Sequence, residues 1–139
     1  MIRILASALL ALSLTAAGAF ATSLYADLAE TDGLWHKRVS NVPFTGEVDE
    51  GIAQGAFKNG KREGPFVWYH VNGQLGQKGE YKNGEREGLW VEYYDYGWLW
   101  YKGEYKNGKR EGPWLWHDED GNKVQPLSGT YRNGEKISD

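Results

Sequence analysis

The sequence predicts an all-β protein: a single open, twisted antiparallel sheet built from tandem β-hairpins and preceded by a signal peptide. Three observations carry this. The first is a 24-residue period, with "GAFKNGKREGPFVWYHVNG" starting at Gly55, "GEYKNGEREGLWVEYYDYG" at Gly79 and "GEYKNGKREGPWLWHDEDG" at Gly103. A fixed period of that length marks a repeat architecture. The second is that no segment after residue 30 keeps an apolar 3.6-residue period, and glycines interrupt every candidate helix. The third is that short alternating runs are bounded by "NG", "YG" and "DG", the punctuation of hairpins.

The chain opens with Met1-Ile2-Arg3 and an uncharged run from Ile4 that ends "AGAFA" at Ala21. One positive charge, a short apolar region and small residues at Ala19 and Ala21 are the parts of a secretory signal peptide spanning residues 1–21. The competing reading is an uncleaved anchor, because Ile4 to Ala26 carries no charge. Cleavage after Ala21 predicts an exported protein, periplasmic or secreted, that contacts a membrane only if the segment stays attached. No cysteine is present, which removes disulfides, sulfur metal sites and a lipid-attachment cysteine together. Removing residues 1–21 takes away Arg3 and no acid, leaving nineteen acids against fifteen bases and a net charge of −4. That balance argues against a nucleic-acid partner, which requires a basic footprint.

Residues 22–43 form an N-terminal segment in which "GLWHKRVSN" reads as a strand capping the edge of the first hairpin; an uncovered edge invites pairing with other chains. Residues 44–139 form the repeat domain. "PFTGEV" from Pro43 reads as a degenerate half-repeat, and a truncated copy, "GTYRNGEKISD", opens at Gly129 after a two-residue insertion.

Turn arithmetic sets two faces. A two-residue turn at Tyr96-Gly97 places Tyr94 opposite Leu99 and Glu92 opposite Tyr101. A four-residue loop over Gly84–Glu87 places Tyr81 opposite Trp90 and Gly79 opposite Glu92. Because side chains alternate along a strand, both turns put Phe66, Trp68, Gly79, Tyr81, Trp90, Glu92, Tyr94, Tyr101, Gly103, Trp114 and Trp116 on one face. Lys78, Glu80, Lys102, Glu104, Val67 and Val91 go on the other, with Trp98 and Trp100. Gly79 and Gly103 leave room for a ring on the crowded face, and each hairpin needs its neighbour to cover its aromatics.

"GEYKNGKREGPW" together with "WYHVNGQL" resembles the bacterial variant of the MORN repeat, a family of tandem hairpins. The resemblance extends over residues 44–139 and implies an open, groove-like antiparallel sheet. Related bacterial sequences often carry an antitoxin-like label, and eukaryotic members are associated with membrane tethering, phosphoinositide contact and protein scaffolding. Here Glu63, Glu87 and Glu111 stand where the eukaryotic segment often has His, an exchange that disfavours phosphoinositide.

No constellation for catalysis emerges. His70 and His117 fall on opposite faces in this register, and no Ser–His–Asp spacing, G-x-S-x-G or P-loop occurs. The reading is a non-enzymatic protein without cofactor or metal. The loop charges Lys61, Arg62, Arg86, Lys109 and Arg110, interleaved with Glu63, Glu85, Glu87 and Glu111, read as a solvated, nearly neutral strip. Recognition is expected where the repeat breaks: Glu92 stands where Trp68 and Trp116 stand, and Trp98 and Trp100 replace Gln74 and Gly76. The candidate binding residues are Glu92, Trp98, Trp100, Tyr101 and Trp116. They split into a groove ligand touching Glu92, Tyr101 and Trp116 and a partner on the charged face touching Trp98 and Trp100 together with Lys102. The competing reading makes Trp100 a cross-strand pair with Tyr93. A protein partner, bound along the aromatic groove or by strand addition, is the leading expectation. A glycan or envelope component held on the tryptophans is the alternative, and an antitoxin-like inhibitor follows only from the family label.

Overall fold

The computed structural model describes residues 21–23 and 25–139. The signal peptide expected over residues 1–21 lies outside the described residues except for Ala21. Strand β1 (Ala21–Ser23) is followed by a short 3-10 turn and a hairpin of β2 (Leu28–Thr31) and β3 (Leu34–Lys37). Then come β4 (Gly46–Asp49), β5 (Ala53–Lys58), β6 (Lys61–Tyr69), β7 (Leu75–Lys82), β8 (Glu85–Tyr93), β9 (Leu99–Lys106), β10 (Lys109–Trp116), β11 (Gly129–Arg132) and β12 (Glu135–Ser138). Strands β4 to β12 lie side by side in chain order, each antiparallel to the next, in one open sheet. Among the described residues, no helix is long and apolar enough to cross a membrane.

The N-terminal cap differs from the expectation. The edge of β4 is covered by β1, which pairs parallel to it with Ala21 opposite Gly46 and Ser23 opposite Val48. "GLWHKRVSN" instead supplies β3, whose hairpin with β2 is a separate two-stranded sheet. Trp35 N–H donates to the Gly60 carbonyl at 2.7 Å, and Phe44 N–H donates to the Trp35 carbonyl at 2.8 Å. Leu28, Phe44, Val48 and Phe57 form a buried cluster against which Trp35 packs. Phe57 would otherwise be the bare end of the aromatic face, so the hairpin caps that face, as terminal units of repeat arrays do.

The sheet is organised by a row in which rings and glycines alternate. Phe66 lies opposite Gly79, Trp90 opposite Gly103, and Trp114 opposite Gly129. Each ring also leans over the glycine of its own hairpin. A Cβ added at Gly55, Gly79 or Gly103 would come within 2.6, 2.3 or 2.2 Å of the Phe66, Trp90 or Trp114 ring. The Trp90 and Trp114 indole N–H groups donate to the Glu80 and Glu104 carbonyls, both at 3.1 Å. Tyrosines link one hairpin to the next by edge-to-face contacts: Tyr81–Trp90 at 5.0 Å, Trp90–Tyr105 at 6.2 Å, Tyr105–Trp114 at 4.9 Å and Trp114–Tyr131 at 6.2 Å.

Both turns differ from the assumed register, with different consequences. Asn83 and Gly84 both have positive φ, 52° and 86°, so the β7–β8 loop is a two-residue turn of the kind Asn-Gly favours. Lys82 pairs with Glu85 and Tyr81 with Arg86, whereas Lys78 pairs with Val91. The residues assigned to a longer loop are taken up as a bulge at Gly88 and Leu89, with Gly88 at φ 66°. Trp90 therefore covers Gly79 and does not sit opposite Tyr81. The slip is by two residues, so every side chain keeps its face.

The β8–β9 turn slips by one, and that changes a face. Tyr94 N–H donates to the Trp98 carbonyl at 2.8 Å and Gly97 N–H to the Tyr94 carbonyl at 2.9 Å, enclosing three residues, with Gly97 at φ 92°. Glu92 still pairs with Tyr101, but Leu99 pairs with Tyr93, and Trp100 is left as a bulge.

Trp90 is 0% exposed. Trp90→Ala should destabilise the fold by about 3–5 kcal/mol in denaturant titration. A loss below about 1 kcal/mol would mean that the ring does not support the sheet in this way.

Candidate functional site

Of the repeated loop charges, the arginines and the glutamates that follow them are built into the sheet, while Glu85 and Lys109 stay exposed. Arg86 Cζ sits 4.3 Å from the centre of the Trp90 ring and 5.4 Å from that of Tyr105. Arg110 lies over Trp114, Trp116 and Tyr131 at 5.1–5.2 Å, and Arg62 lies over Trp35, Phe66 and Tyr81. Each such stack contributes on the order of 1 kcal/mol. The glutamates that follow point the other way along the array. The carboxylates of Glu63, Glu87 and Glu111 accept the backbone N–H groups of Asn83, Asn107 and Asn133 at 2.7–2.8 Å. Gly84, Gly108 and Gly134 donate to the carbonyls of Arg62, Arg86 and Arg110 at 2.9–3.0 Å. Each Asn-Gly turn thus docks on the preceding repeat, and "NGKREG" is a coupling device.

With these positions explained by packing, the non-repeating ones remain as the candidate site. Strands β6 to β10 align Trp68, Gln77, Glu92, Tyr101 and Trp116 in one row across the aromatic face. Its centre is polar. Gln77 Nε2 donates to Glu92 Oε2 at 2.6 Å and to the Tyr101 hydroxyl at 3.4 Å. Arg86 Nη1 donates to the Tyr101 and Tyr105 hydroxyls at 3.1 and 3.2 Å. Burial, and next the hydrogen bond with Glu92, push the Tyr101 phenol up to about 12. Burial by itself would lower the Arg86 guanidinium, but the neighbouring Tyr101 and Tyr105 oxygens hold it above its ordinary value, so it remains a cation.

Trp100 belongs with this row, not with the charged face. Its ring packs on Tyr94 at 5.8 Å, Tyr101 at 5.4 Å and Trp116 at 6.0 Å. The bulge explains the change, because an unpaired residue is released from strict alternation. The same bulge explains why Glu92 and Trp100 deviate together. One repeat earlier the bulged residue is Gly76, where a Cβ would approach the Trp68 ring to 2.3 Å. A side chain fits at the bulge when the residue at the Trp68 position is not an indole, and Glu92 meets that condition by turning its carboxylate to Gln77.

Trp98 sits at the edge, beside the turn. Tyr94 and Tyr96 stack with ring planes 4° apart, and Tyr96 meets Trp98 edge-on at 5.9 Å. The Tyr94 and Tyr96 hydroxyls donate to the His117 and Glu119 carbonyls at 3.0 and 2.8 Å. A Cβ at Gly121 would lie 3.0 Å from the Trp98 ring. Tyr96, Trp98 and Trp100 are 46%, 54% and 37% exposed and form the outer part of a ridge that runs into the face at Tyr101 and Trp116. The expected split between a groove site and a charged-face site is therefore replaced by one continuous surface.

Sequence reasoning does not single out Gln77, Arg86, Tyr94 or Tyr96 as site residues. Comparing repeats position by position reveals three of them: Tyr94 and Tyr96 stand where the previous repeat has His70 and Asn72, and Gln77 stands where the next has Tyr101. Arg86 recurs as Arg62 and Arg110 in the other two full repeats and so carries no such signal. His70 Nε2 is 2.8 Å from the Tyr93 carbonyl, and its ring packs on Trp68, which gives it a structural role.

The folded pKa of Tyr101 lies above the ordinary value of 10.0. Its contribution to stability is therefore complete below about pH 10 and is lost as pH rises to about 12. Glu92→Gln removes a neighbouring charge that favours the neutral phenol. The variant should lose less stability than the parent between about pH 10 and about pH 12, read by urea titration at each pH. An unchanged loss would place the carboxylate away from the phenol.

The family model described as MORN repeat matches residues 54–65, 78–89 and 101–113. Each match begins within the first strand of a hairpin and covers its Asn-Gly turn and the first part of the second strand. No curated protein matches the chain. The three tandem matches fall on three successive hairpins of the sheet, which is consistent with a MORN-repeat family.

Proposed function

We propose that this chain is an exported, non-enzymatic binding or scaffolding module whose partner is a protein, gripped through the ridge formed by Tyr96, Trp98 and Trp100. MORN repeat modules generally mediate protein interactions, which supports a protein partner. The observation that carries the assignment of the surface is the exposure of three neighbouring aromatics that the repeat does not require. Exposed aromatic clusters of this kind mark interaction sites, and large aromatics dominate protein–protein binding energy. Export rests on the charge and apolar pattern of residues 1–21.

Capture from an envelope fraction, with the tagged full chain as bait, tests this reading. The parent should retain a partner protein that Trp98→Ala and Trp100→Ala baits lose. A truncated aromatic at a recognition centre typically costs at least about 2 kcal/mol of binding. Equal retention by all three baits would move the site elsewhere, and binding on a glycan array in place of a protein would replace the partner class. Intact mass of the protein from its host should lack residues 1–21; a full-length cytoplasmic species would contradict export.

A further inference from the structure

The two long edges of the sheet carry opposite charge. The edge with the Asn-Gly turns presents exposed Lys58, Lys82, Lys106, Lys109 and Arg132. Exposed Glu85 and Glu135 share this edge, and Glu63, Glu87 and Glu111 keep their charge while accepting turn amides, but with Lys61, Arg62, Arg86 and Arg110 the bases here outnumber the acids nine to five. The other edge holds the turns after β4, β6, β8 and β10, with Asp49, Glu50, Asp95, Asp118, Glu119 and Asp120. Lys123 is the one lysine in the turn that follows β10, and it lines the same hollow as Asp139. The aromatics of the ridge occur on the acidic edge. Tyr96 touches Glu119 through its hydroxyl. Its phenol is held above the ordinary value by desolvation and by the negative charge of Glu119, Asp95 and Asp120.

Aromatic faces inside an acidic rim suit one class of ligand. The ring quadrupole attracts cations, and the surrounding carboxylates repel anionic partners and steer cationic ones. Resting on the partner reading above, we propose that this ridge docks a positively charged, arginine- or lysine-bearing segment of the partner protein. Its cationic groups stack on Tyr96 and Trp98 between Asp95, Glu119 and Asp120. The basic edge of a second copy is a poorer occupant. An acidic edge against a basic edge is a head-to-tail contact, and a contact of that kind does not close on itself in a dimer.

Calorimetric titration of the full chain with a synthetic alternating Gly-Arg decapeptide tests the assignment, using a citrulline peptide of equal length as the neutral control. The arginine peptide should bind saturably, more weakly as salt rises, and about tenfold more tightly than the citrulline peptide. Combined Asp95→Asn, Glu119→Gln and Asp120→Asn, all at exposed positions, should abolish that preference. Trp98→Ala should weaken binding about fivefold, with folding checked by circular dichroism, and Lys82→Ala with Lys106→Ala should change nothing. Equal binding of the two peptides, or an arginine preference that survives neutralisation of the three acids, overturns the proposal. So does self-association in sedimentation that disappears in the lysine variant. A captured partner that is lost by Trp98→Ala yet ignores the acid substitutions sinks the charge assignment while leaving the partner reading standing.

Discussion

An indole ring laid against backbone that has no side chain is the contact on which the rest of this sheet depends. Trp90 over Gly79 and Trp114 over Gly103 leave no room for a Cβ. Once the ring is seated there, its indole N–H reaches a carbonyl of the neighbouring strand, and tyrosines from two hairpins meet its edges. The face is thereby assembled from contacts that each span two strands, so no hairpin holds its aromatic side alone. The bulge at Gly88 follows from the same demand. Continued without a bulge, the two-residue turn that pairs Lys82 with Glu85 would set Trp90 opposite Gln77. Taking up the extra residues before the ring brings Trp90 level with Gly79.

The charged loops serve the same end by a different interaction. Arginines at one position stack on the rings, and glutamates at the next bind the turn amides of the following repeat. Opposite charges adjacent in sequence therefore work on opposite sides of the strand. This is why a net-neutral loop is not an idle one. The bases of that edge still outnumber its acids, which polarises the sheet.

The period, the hairpins and both faces are legible in the sequence, because ring, glycine and Asn-Gly recur with the same spacing. The faces hold despite an incorrect β7–β8 loop because that slip is even. The one-residue slip at Trp100 is not legible: a three-residue turn with Gly97 in the left-handed region looks, in sequence, much like a two-residue Tyr-Gly turn. Glu92 and Trp100 stand out as breaks in the repeat, but their mutual dependence emerges only when Trp68 is seen over Gly76. The cap is half legible. Its strand can be read from "GLWHKRVSN", but nothing in the sequence says that it covers the aromatic face while Ala21–Ser23 covers the edge.

If the glycines are there to admit the rings, Gly79 and Trp90 must be coupled in a double-mutant cycle. Gly79 does not adopt a positive φ, so alanine there meets no backbone penalty, only the ring. Denaturant titration should show Gly79→Ala costing about 1–3 kcal/mol in the parent and close to nothing in a Trp90→Val background. Equal costs in the two backgrounds would show that ring and glycine act independently, and would contradict the account.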